Sequence, residues 1–233
     1  MNLLHNGLVT QLPPADQVLL LRQCAPVELR AGDILSAPGA ASGHVYFLLG
    51  GASVALVVRN GSGSGLAVGL AGQEGAVGLQ FALGLGAGHF TLLVQSSGKA
   101  FRADGAVLQR LSDRRLGMVR VFAAYLWVFS QEVAELAAAA QAQDIQARLA
   151  RWIVLSQART QQTELHLTHA HLADMLGVRR AGVTLAANNL KGMGLLDYRR
   201  GCIQILNLAG LATAAQAQPS TPGALPEQGG GDE

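Results

Sequence analysis

The sequence predicts an α+β protein in three successive parts: an N-terminal antiparallel β-barrel or jelly roll, a long central helix, and a C-terminal winged helix. Three patterns support this prediction. Short aliphatic runs separated by glycines fill residues 27–102, as in antiparallel all-β domains. An apolar heptad pattern follows over residues 119–140. Near the C terminus, two short amphipathic helices are joined at Gly177 and are followed by a β-hairpin pattern.

Composition sets the size of the core and locates the charge. The chain has 233 residues, of which 50% are hydrophobic and only 5% aromatic, so aliphatic side chains must fill a large core. The formal net charge is only +2. Residues 143–212, however, hold eight Lys or Arg against four Asp or Glu. The basic excess therefore lies in the C-terminal part, as a phosphate-binding surface would require.

The cysteines and the N terminus predict a reduced, cytoplasmic location. Cys24 and Cys202 lie far apart and form neither a disulfide framework nor a metal-binding spacing. The start, MNLLHNGL, lacks the basic region and apolar core of a signal peptide. The longest apolar run, Val121 to Phe129, is too short to span a membrane. We therefore expect a cytoplasmic protein with no membrane partner.

Residues 1–104 are predicted to form the β-domain. A short amphipathic helix over residues 10–24 precedes it, with Pro13 and Pro14 in the first helical turn. The strand candidates are VELRAGDIL, HVYFLLGGASVALVV, LAVGLAG, HFTLLVQSS and GKAFRA. Their short, glycine-punctuated spacing favours an antiparallel barrel or jelly roll over a parallel sheet.

Residues 105–142 are predicted to be largely helical and to mediate dimerisation. One apolar seam recurs at alternating steps of three and four residues, as in a coiled coil. The seam consists of Val119, Phe122, Leu126, Phe129, Val133, Leu136 and Ala140. A second apolar stripe, with Met118, Val121, Tyr125 and Val128, runs beside it. We expect one stripe to pack on the barrel and the other on a partner chain. The alternative is a single helix buried on both sides within one monomer.

Residues 143–212 are predicted to form a winged helix. A helix over 144–159 opens it, and the segment HAHLADMLGVRRAGVTLAANN, residues 169–189, has helix-turn-helix spacing. Thr168 can cap its first helix, and Gly177 can end that helix in the left-handed conformation. A hairpin follows, with two arginines in its turn at Arg199-Arg200-Gly201. These features favour DNA binding over an αα-corner that binds nothing. Residues 213–233, rich in Gly, Pro, Ala and Gln, are predicted to be disordered.

This order of parts resembles the Crp/Fnr family of bacterial transcription regulators, whose barrel is cyclic-nucleotide-binding-like. The residues that carry the resemblance in the barrel are Gly32-Asp33-Ile34-Leu35, Pro38-Gly39, Val45-Tyr46-Phe47-Leu48 and Gly51. In the C-terminal part they are Leu172 to Val178, Arg180, Val183-Thr184, Gly194-Leu195-Leu196 and Arg200-Gly201. The resemblance covers about residues 10–212.

The resemblance implies a homodimer that binds a palindromic operator in double-stranded DNA and has RNA polymerase as a further partner. A recognition helix over residues 179–190 would enter the major groove. The DNA-binding candidates are Thr168, Arg179, Arg180, Thr184, Asn188, Lys191, Arg199 and Arg200. Arg180 matches the family's guanine-reading arginine, whereas Ala181 and Leu185 replace two polar recognition residues of the family. We therefore do not expect this chain to read the family's best-known operator.

The sensor region departs from the family's cyclic-nucleotide pattern. The resemblance implies a phosphate cassette of Gly-Glu followed by Arg-Ser. The matching stretch, GAVGLQFALGLGAGHFTLLVQ, lacks the glutamate and has His89-Phe90-Thr91 where Arg-Ser would be. The candidate effector-binding residues are Gly75, Gly78, His89 and Thr91. Without an arginine a buried phosphate has no bidentate partner, so we predict that cyclic AMP does not bind and that the effector is another ligand or none.

Other chemistries receive little support from the sequence. There is no N-terminal cysteine cluster for an iron–sulfur centre, and His169 and His171 point to different helix faces. A cupin-like barrel enzyme, the main alternative, needs a His-x-His pair and a carboxylate on one metal, whereas His44 and His89 are isolated. A third possibility is a regulator that has lost sequence-specific binding and acts through protein contacts. We expect no catalytic residues, no cofactor and no metal.

Overall fold

The computed structural model describes residues 3–40, 43–59, 65–86 and 88–216. A single 3-10 turn at Leu3–His5 precedes the helices. The helices are Gly7–Thr10 (α1), Pro14–Leu21 (α2), Leu79–Ala82 (α3), Gly105–Ser112 (α4), Leu116–Ala142 (α5), Ile145–Thr160 (α6), His169–Leu176 (α7), Arg180–Gly192 (α8) and Leu208–Ala214 (α9). The strands are Ala25–Leu29 (β1), Ile34–Ser36 (β2), His44–Leu49 (β3), Ser53–Arg59 (β4), Gly65–Ala71 (β5), Ala76–Val77 (β6), Thr91–Ser96 (β7), Gly98–Asp104 (β8), Glu164–Leu165 (β9), Leu196–Arg199 (β10) and Cys202–Ile205 (β11).

Within the described residues, strands β1 to β8 form two four-stranded antiparallel sheets, ordered β1-β8-β3-β6 and β2-β7-β4-β5. The two sheets share a core that includes Tyr46 and Leu48 of β3 and Val54 of β4. The alternate residues of β3, such as Phe47, pack in a second core with helices on the other face. Strand β3 is almost uniformly apolar because both of its faces are buried. The predicted antiparallel fold is confirmed, as an open two-sheet jelly roll.

Helix α5 packs along the jelly roll through aromatic side chains that meet glycines. Phe122 is wholly buried, with its ring centroid 6.4 Å from that of Phe47. A Cβ added at Gly69 would lie 2.7 Å from Phe129, and one at Gly75 would lie 2.2 Å from Tyr125. Real Cβ atoms do not approach other atoms this closely, so these two glycines make room for the rings of α5.

The winged helix has its own capping residues and a core that continues into the jelly roll. The side chains of Asp144 and Thr168 cap α6 and α7, accepting from backbone amides at 2.8 and 3.1 Å. Gly177 ends α7 with φ +64°, as predicted. Trp152 and Leu172 belong to the same buried cluster as residues of β4, β5 and β7. The winged helix is therefore docked on the second sheet.

Two sequence predictions need correction. The helix expected over residues 10–24 is shorter, α2 at Pro14–Leu21 with Pro14 in its first turn as predicted, and a separate short helix, α1, precedes it. The disordered tail expected from residue 213 begins too early, because α9 runs to Ala214 and Ala215 is buried. Residues 217–233 of that tail lie outside the described residues. In the part of the chain that the structure describes, no helix is both long and apolar enough to cross a membrane.

Candidate DNA-binding surface

Helix α8 presents an arginine pair at its exposed N-terminal end. Arg179 is the N-cap residue, with extended backbone and no capping hydrogen bond from its side chain, and Arg180 is the first helical residue. Both are exposed. The Gly182 N–H donates to the Arg179 carbonyl, whereas those of Arg180 and Ala181 precede the first intrahelical bond and, together with the helix dipole, attract anions. This end of α8 therefore combines two guanidinium groups with a favourable site for phosphate.

The outer face of α8 is set by its buried face. Val183, Ala186, Ala187 and Leu190 are all buried against the rest of the winged helix. The opposite face leaves exposed Ala181, Leu185, which is 64% exposed, and Asn188. Leu185 does not contribute to the core. It gives the exposed face of α8 an apolar patch. Such a side chain can contact a thymine methyl group.

Two of the threonines predicted to contact phosphate already have structural roles. The Thr168 hydroxyl accepts from the His171 N–H at the start of α7, yet the residue is exposed. The Thr184 hydroxyl donates to the Arg180 carbonyl at 3.1 Å and lies 3.0 Å from Nδ1 of His169. Thr168 thus caps α7, and Thr184 connects α8 to α7.

His169 is a structural residue that the sequence reasoning considered only as a metal ligand. Its ring stacks on Tyr198 with centroids 4.1 Å apart, so it links α7 and α8 to the wing strand β10. Burial, and then the positive charge of Arg180, lower the pKa of His169. No sequence pattern reveals this stack, because it depends on the wing folding back onto α7.

The wing is a tight hairpin with both arginines at its tip. Strands β10 and β11 pair in register, and the connecting residues Arg200 and Gly201 have φ +50° and +83°. Positive φ at both positions matches the twist of a two-residue hairpin turn. Arg199 and Arg200 are exposed. The predicted wing is therefore a β-hairpin with two exposed arginines at its turn.

Asp197 partly neutralises the positive charge of this wing. Its carboxylate accepts Nζ of Lys191 at 2.6 Å and Nε of Arg199 at 2.8 Å. The hydrogen bond from Lys191 and the backbone amide of Tyr198 lower the pKa of Asp197, so it stays ionised. Two of the eight predicted DNA-binding residues thus share one counter-ion, which the sequence reasoning missed.

The predicted effector-binding residues do not converge on one place. A cavity of about 370 Å³ lies between the jelly roll and α5, and Gly78 lines it. Among the described residues, Gly75, His89 and Thr91 are not in that lining: Gly75 faces Tyr125, His89 is exposed, and Thr91 is buried in β7 opposite Val57. The polar groups of the lining come from Ser36, Gln80, Tyr125 and Ser130.

The predicted dimer seam faces the chain's own jelly roll. Phe122 is wholly buried there, Leu126, Phe129 and Val133 line the cavity, and Leu136 packs against the winged-helix core. The side of α5 that faces outward instead carries Trp127 and Val128, 66% and 63% exposed. Most of the second stripe packs there too, since Met118 is wholly buried and Val121 and Tyr125 pack against the same core, so only Val128 of that stripe faces outward.

Comparison with known proteins agrees with this architecture. Residues 147–214 match the family described as the Crp-like helix-turn-helix domain. No curated protein matches the sequence.

Several solved structures share the fold over most of the chain. FixK2 from Bradyrhizobium japonicum is 14% identical, with a TM-score of 0.70 over 83% of this chain and 98% of that one. CLP, a c-di-GMP-responsive global regulator from Xanthomonas campestris, is 16% identical, with a TM-score of 0.67 over 83% and 99%. A transcriptional regulator of the CRP/FNR family from Thermus thermophilus is 22% identical, with a TM-score of 0.65 over 83% and 100%. The chain therefore contains a Crp-like helix-turn-helix domain within the fold of the Crp/Fnr transcription regulators.

Proposed function

We propose that this protein is a homodimeric, sequence-specific transcription regulator whose α8 enters the major groove of DNA. The observation that carries the proposal is the exposed N-terminal end of α8, with Arg179 and Arg180, in one domain with the exposed arginines of the wing. In this proposal Arg180 would read a guanine edge, and the wing arginines would contact phosphate. Thr168, Asn188 and Lys191 add further polar contacts.

The two chains of the dimer would associate through the outward side of α5. Exposed residues recur there at steps of three and four, which is the spacing of a helix–helix seam. They are Ala124, Trp127, Gln131, Ala134 and Ala138. Small side chains allow close approach of two helices, and Trp127 supplies the large apolar surface that otherwise remains in water. A dimer would place two copies of α8 on successive turns of a palindromic operator.

The N-terminal jelly roll, residues 1–104, would act as a sensor for an uncharged ligand. The described residues that line the cavity carry no formal charge, and most are apolar. A cyclic phosphate placed there would lose its hydration without gaining a bidentate cation. We therefore propose that cyclic AMP is not the effector, which calorimetric titration of the purified chain with cyclic AMP would check.

The remaining assignments follow from this function. Residues 105–142 would form the dimerisation segment, 143–212 the DNA-binding domain, and RNA polymerase would be a partner of the DNA-bound dimer in the cytoplasm. An enzymatic barrel is disfavoured because, in the described residues, the one group of metal-ligating side chains lies outside the jelly roll. A regulator without sequence preference is disfavoured because Arg180 is free of the ion pair that engages Lys191 and Arg199.

A mobility-shift experiment tests the proposal. Genomic fragments are incubated with the full-length chain at a stated salt concentration, and the shifted fragments are sequenced to obtain the operator. Arg180→Ala should then weaken operator binding by about 1–3 kcal/mol and relax one operator position. Arg110→Ala removes an exposed arginine from α4, far from this surface, and should bind like the wild type. Equal affinity and equal sequence preference of the Arg180 variant would refute the assigned role.

A further inference from the structure

The outer face of the winged-helix sheet brings together three side chains of different ligand types. In the β11–β9 pairing, Ile203 stands opposite Leu165 and Gln204 opposite Glu164. Leu165 and Ile203 are buried, so the residues on either side of them point away from the core. This alternation turns Glu164, His166 and Cys202 toward solvent on the same face.

The distances within this cluster suit a single metal ion. Sγ of Cys202 lies 3.2 Å from Oε1 of Glu164, and Nε2 of His166 lies 3.8 Å from the same oxygen. All three ligand atoms lie within 4.8 Å of one another. Tetrahedral zinc with ordinary bond lengths separates its ligand atoms by about 3.4–3.6 Å. Small side-chain rotations would therefore close the three atoms around one ion.

We propose that Glu164, His166 and Cys202 form a binding site for a thiophilic divalent cation of the zinc class. Thiolate, imidazole and carboxylate are the three ligand types that zinc takes in proteins. Binding would displace the thiol proton of Cys202 to the solvent, and the ion would form bonds to sulfur, nitrogen and oxygen. One thiolate and one carboxylate neutralise the two charges of the ion, and water would fill the fourth position.

The site would stabilise the wing. Cys202 directly follows the turn at Arg200 and Gly201, whereas Glu164 and His166 lie at the entrance to the helix-turn-helix. Strand β9 is only two residues long and forms a short pairing with β11. A metal bond from β9 to Cys202 would fix the wing strand to the start of the domain.

Cobalt titration of the untagged, full-length chain tests the site. Co²⁺ takes the place of zinc in such sites, and a thiolate–Co²⁺ bond gives a charge-transfer absorption with the visible bands of a tetrahedral ion. The wild type should show these bands at one equivalent and lose them when zinc is added. Cys202→Ser should abolish the charge-transfer band. The matched control is Cys24→Ser, because Cys24 is the chain's other cysteine and burial raises its pKa to about 12.

A second variant keeps the test valid if Cys202→Ser is poorly folded. His166 is exposed, so His166→Ala should fold normally and weaken cobalt binding at least tenfold. Zinc should also raise the melting temperature of the wild type and of Cys24→Ser, and should raise that of His166→Ala less at the same zinc concentration, because a ligand that binds only the folded state stabilises it in proportion to its affinity. The proposal fails if the wild type shows no thiolate–cobalt band, or if the band persists in Cys202→Ser.

Discussion

Nε1 of Trp152 in α6 donates a hydrogen bond to Oε1 of Gln95 in β7 at 2.9 Å, across the boundary between winged helix and jelly roll. Nε2 of the same Gln95 donates to Oγ of Ser156, one turn further along α6, at 3.0 Å. All three side chains are buried. Buried polar groups destabilise the folded state unless they are paired. These two hydrogen bonds therefore specify how the winged helix docks on the jelly roll.

Gln95→Leu should therefore destabilise the protein. The leucine leaves the Trp152 N–H and the Ser156 hydroxyl buried without their partner, and a buried unpaired polar group costs about 1–3 kcal/mol. The free energy of unfolding from urea denaturation should therefore fall by at least about 1–3 kcal/mol, the cost of one such group. Gln23→Leu makes the same chemical change at an exposed position and should leave the unfolding free energy nearly unchanged. Equal stability of both variants would mean that the bond contributes nothing to docking.

Asp197→Asn should strengthen binding to any DNA duplex. The substitution removes the negative charge that holds Lys191 and Arg199 and that repels nearby phosphates. We expect tighter non-specific binding at low salt. We also expect a steeper decrease of the logarithm of the binding constant with the logarithm of salt concentration, by about one, as for one more released counter-ion. Fluorescence anisotropy with a random duplex at several salt concentrations measures both. The control is Asp113→Asn, which removes an exposed carboxylate at the end of α4. Unchanged or weaker binding by the Asp197 variant would show that its carboxylate positions the cations instead.

The stability of the winged helix should fall as the pH falls through about 6.5, the ordinary pKa of histidine. Burial and the nearby Arg180 lower the pKa of His169, so the unfolded chain binds a proton that the folded chain resists. The unfolding free energy is then constant above this pH and decreases below it, toward the folded-state pKa. His171, whose pKa is also lowered by burial, contributes in the same direction.

Unfolding curves between pH 8 and 5 would check this dependence. His169→Gln should lose less stability at acid pH than the wild type. The pH dependence that remains in this variant would come from His171. His89→Gln, at an exposed position on the jelly roll, should keep the wild-type dependence. A His169 variant with an unchanged slope would show that its ring does not resist protonation in the folded state.

The sequence predicted the elements well and their mutual packing less well. The strand runs, the cap at Thr168 and the stop at Gly177 are encoded by neighbouring residues, so local patterns revealed them. The orientation of α5 was not encoded locally, because both of its apolar stripes have helical spacing. It is decided by glycines on a distant strand, among them Gly69, which accept the rings of α5.

The same limit applies to the candidate site. The arginines of α8 and the wing stand out in the sequence as clustered charge. The partner of two of the basic groups, Asp197, becomes evident only when β10 lies beside α8. Likewise, Glu164 and Cys202 are 38 residues apart and meet only through the sheet register. Helix α9 was missed because a short segment rich in alanine and glycine has almost no apolar period, although Leu211 is buried.

Trp127→Lys should dissociate the dimer. Trp127 is 66% exposed on the outward side of α5, and a charge there would have to be buried against the partner helix. Sedimentation velocity should show a dimer for the wild type and a monomer for the variant, with a parallel loss of operator affinity because a single chain contacts one half-site. Val18→Lys makes the same change at a residue 53% exposed on α2 and should remain dimeric. A wild-type chain that sediments as a monomer would refute the homodimer, whereas a dimeric Trp127 variant would place the interface on another face.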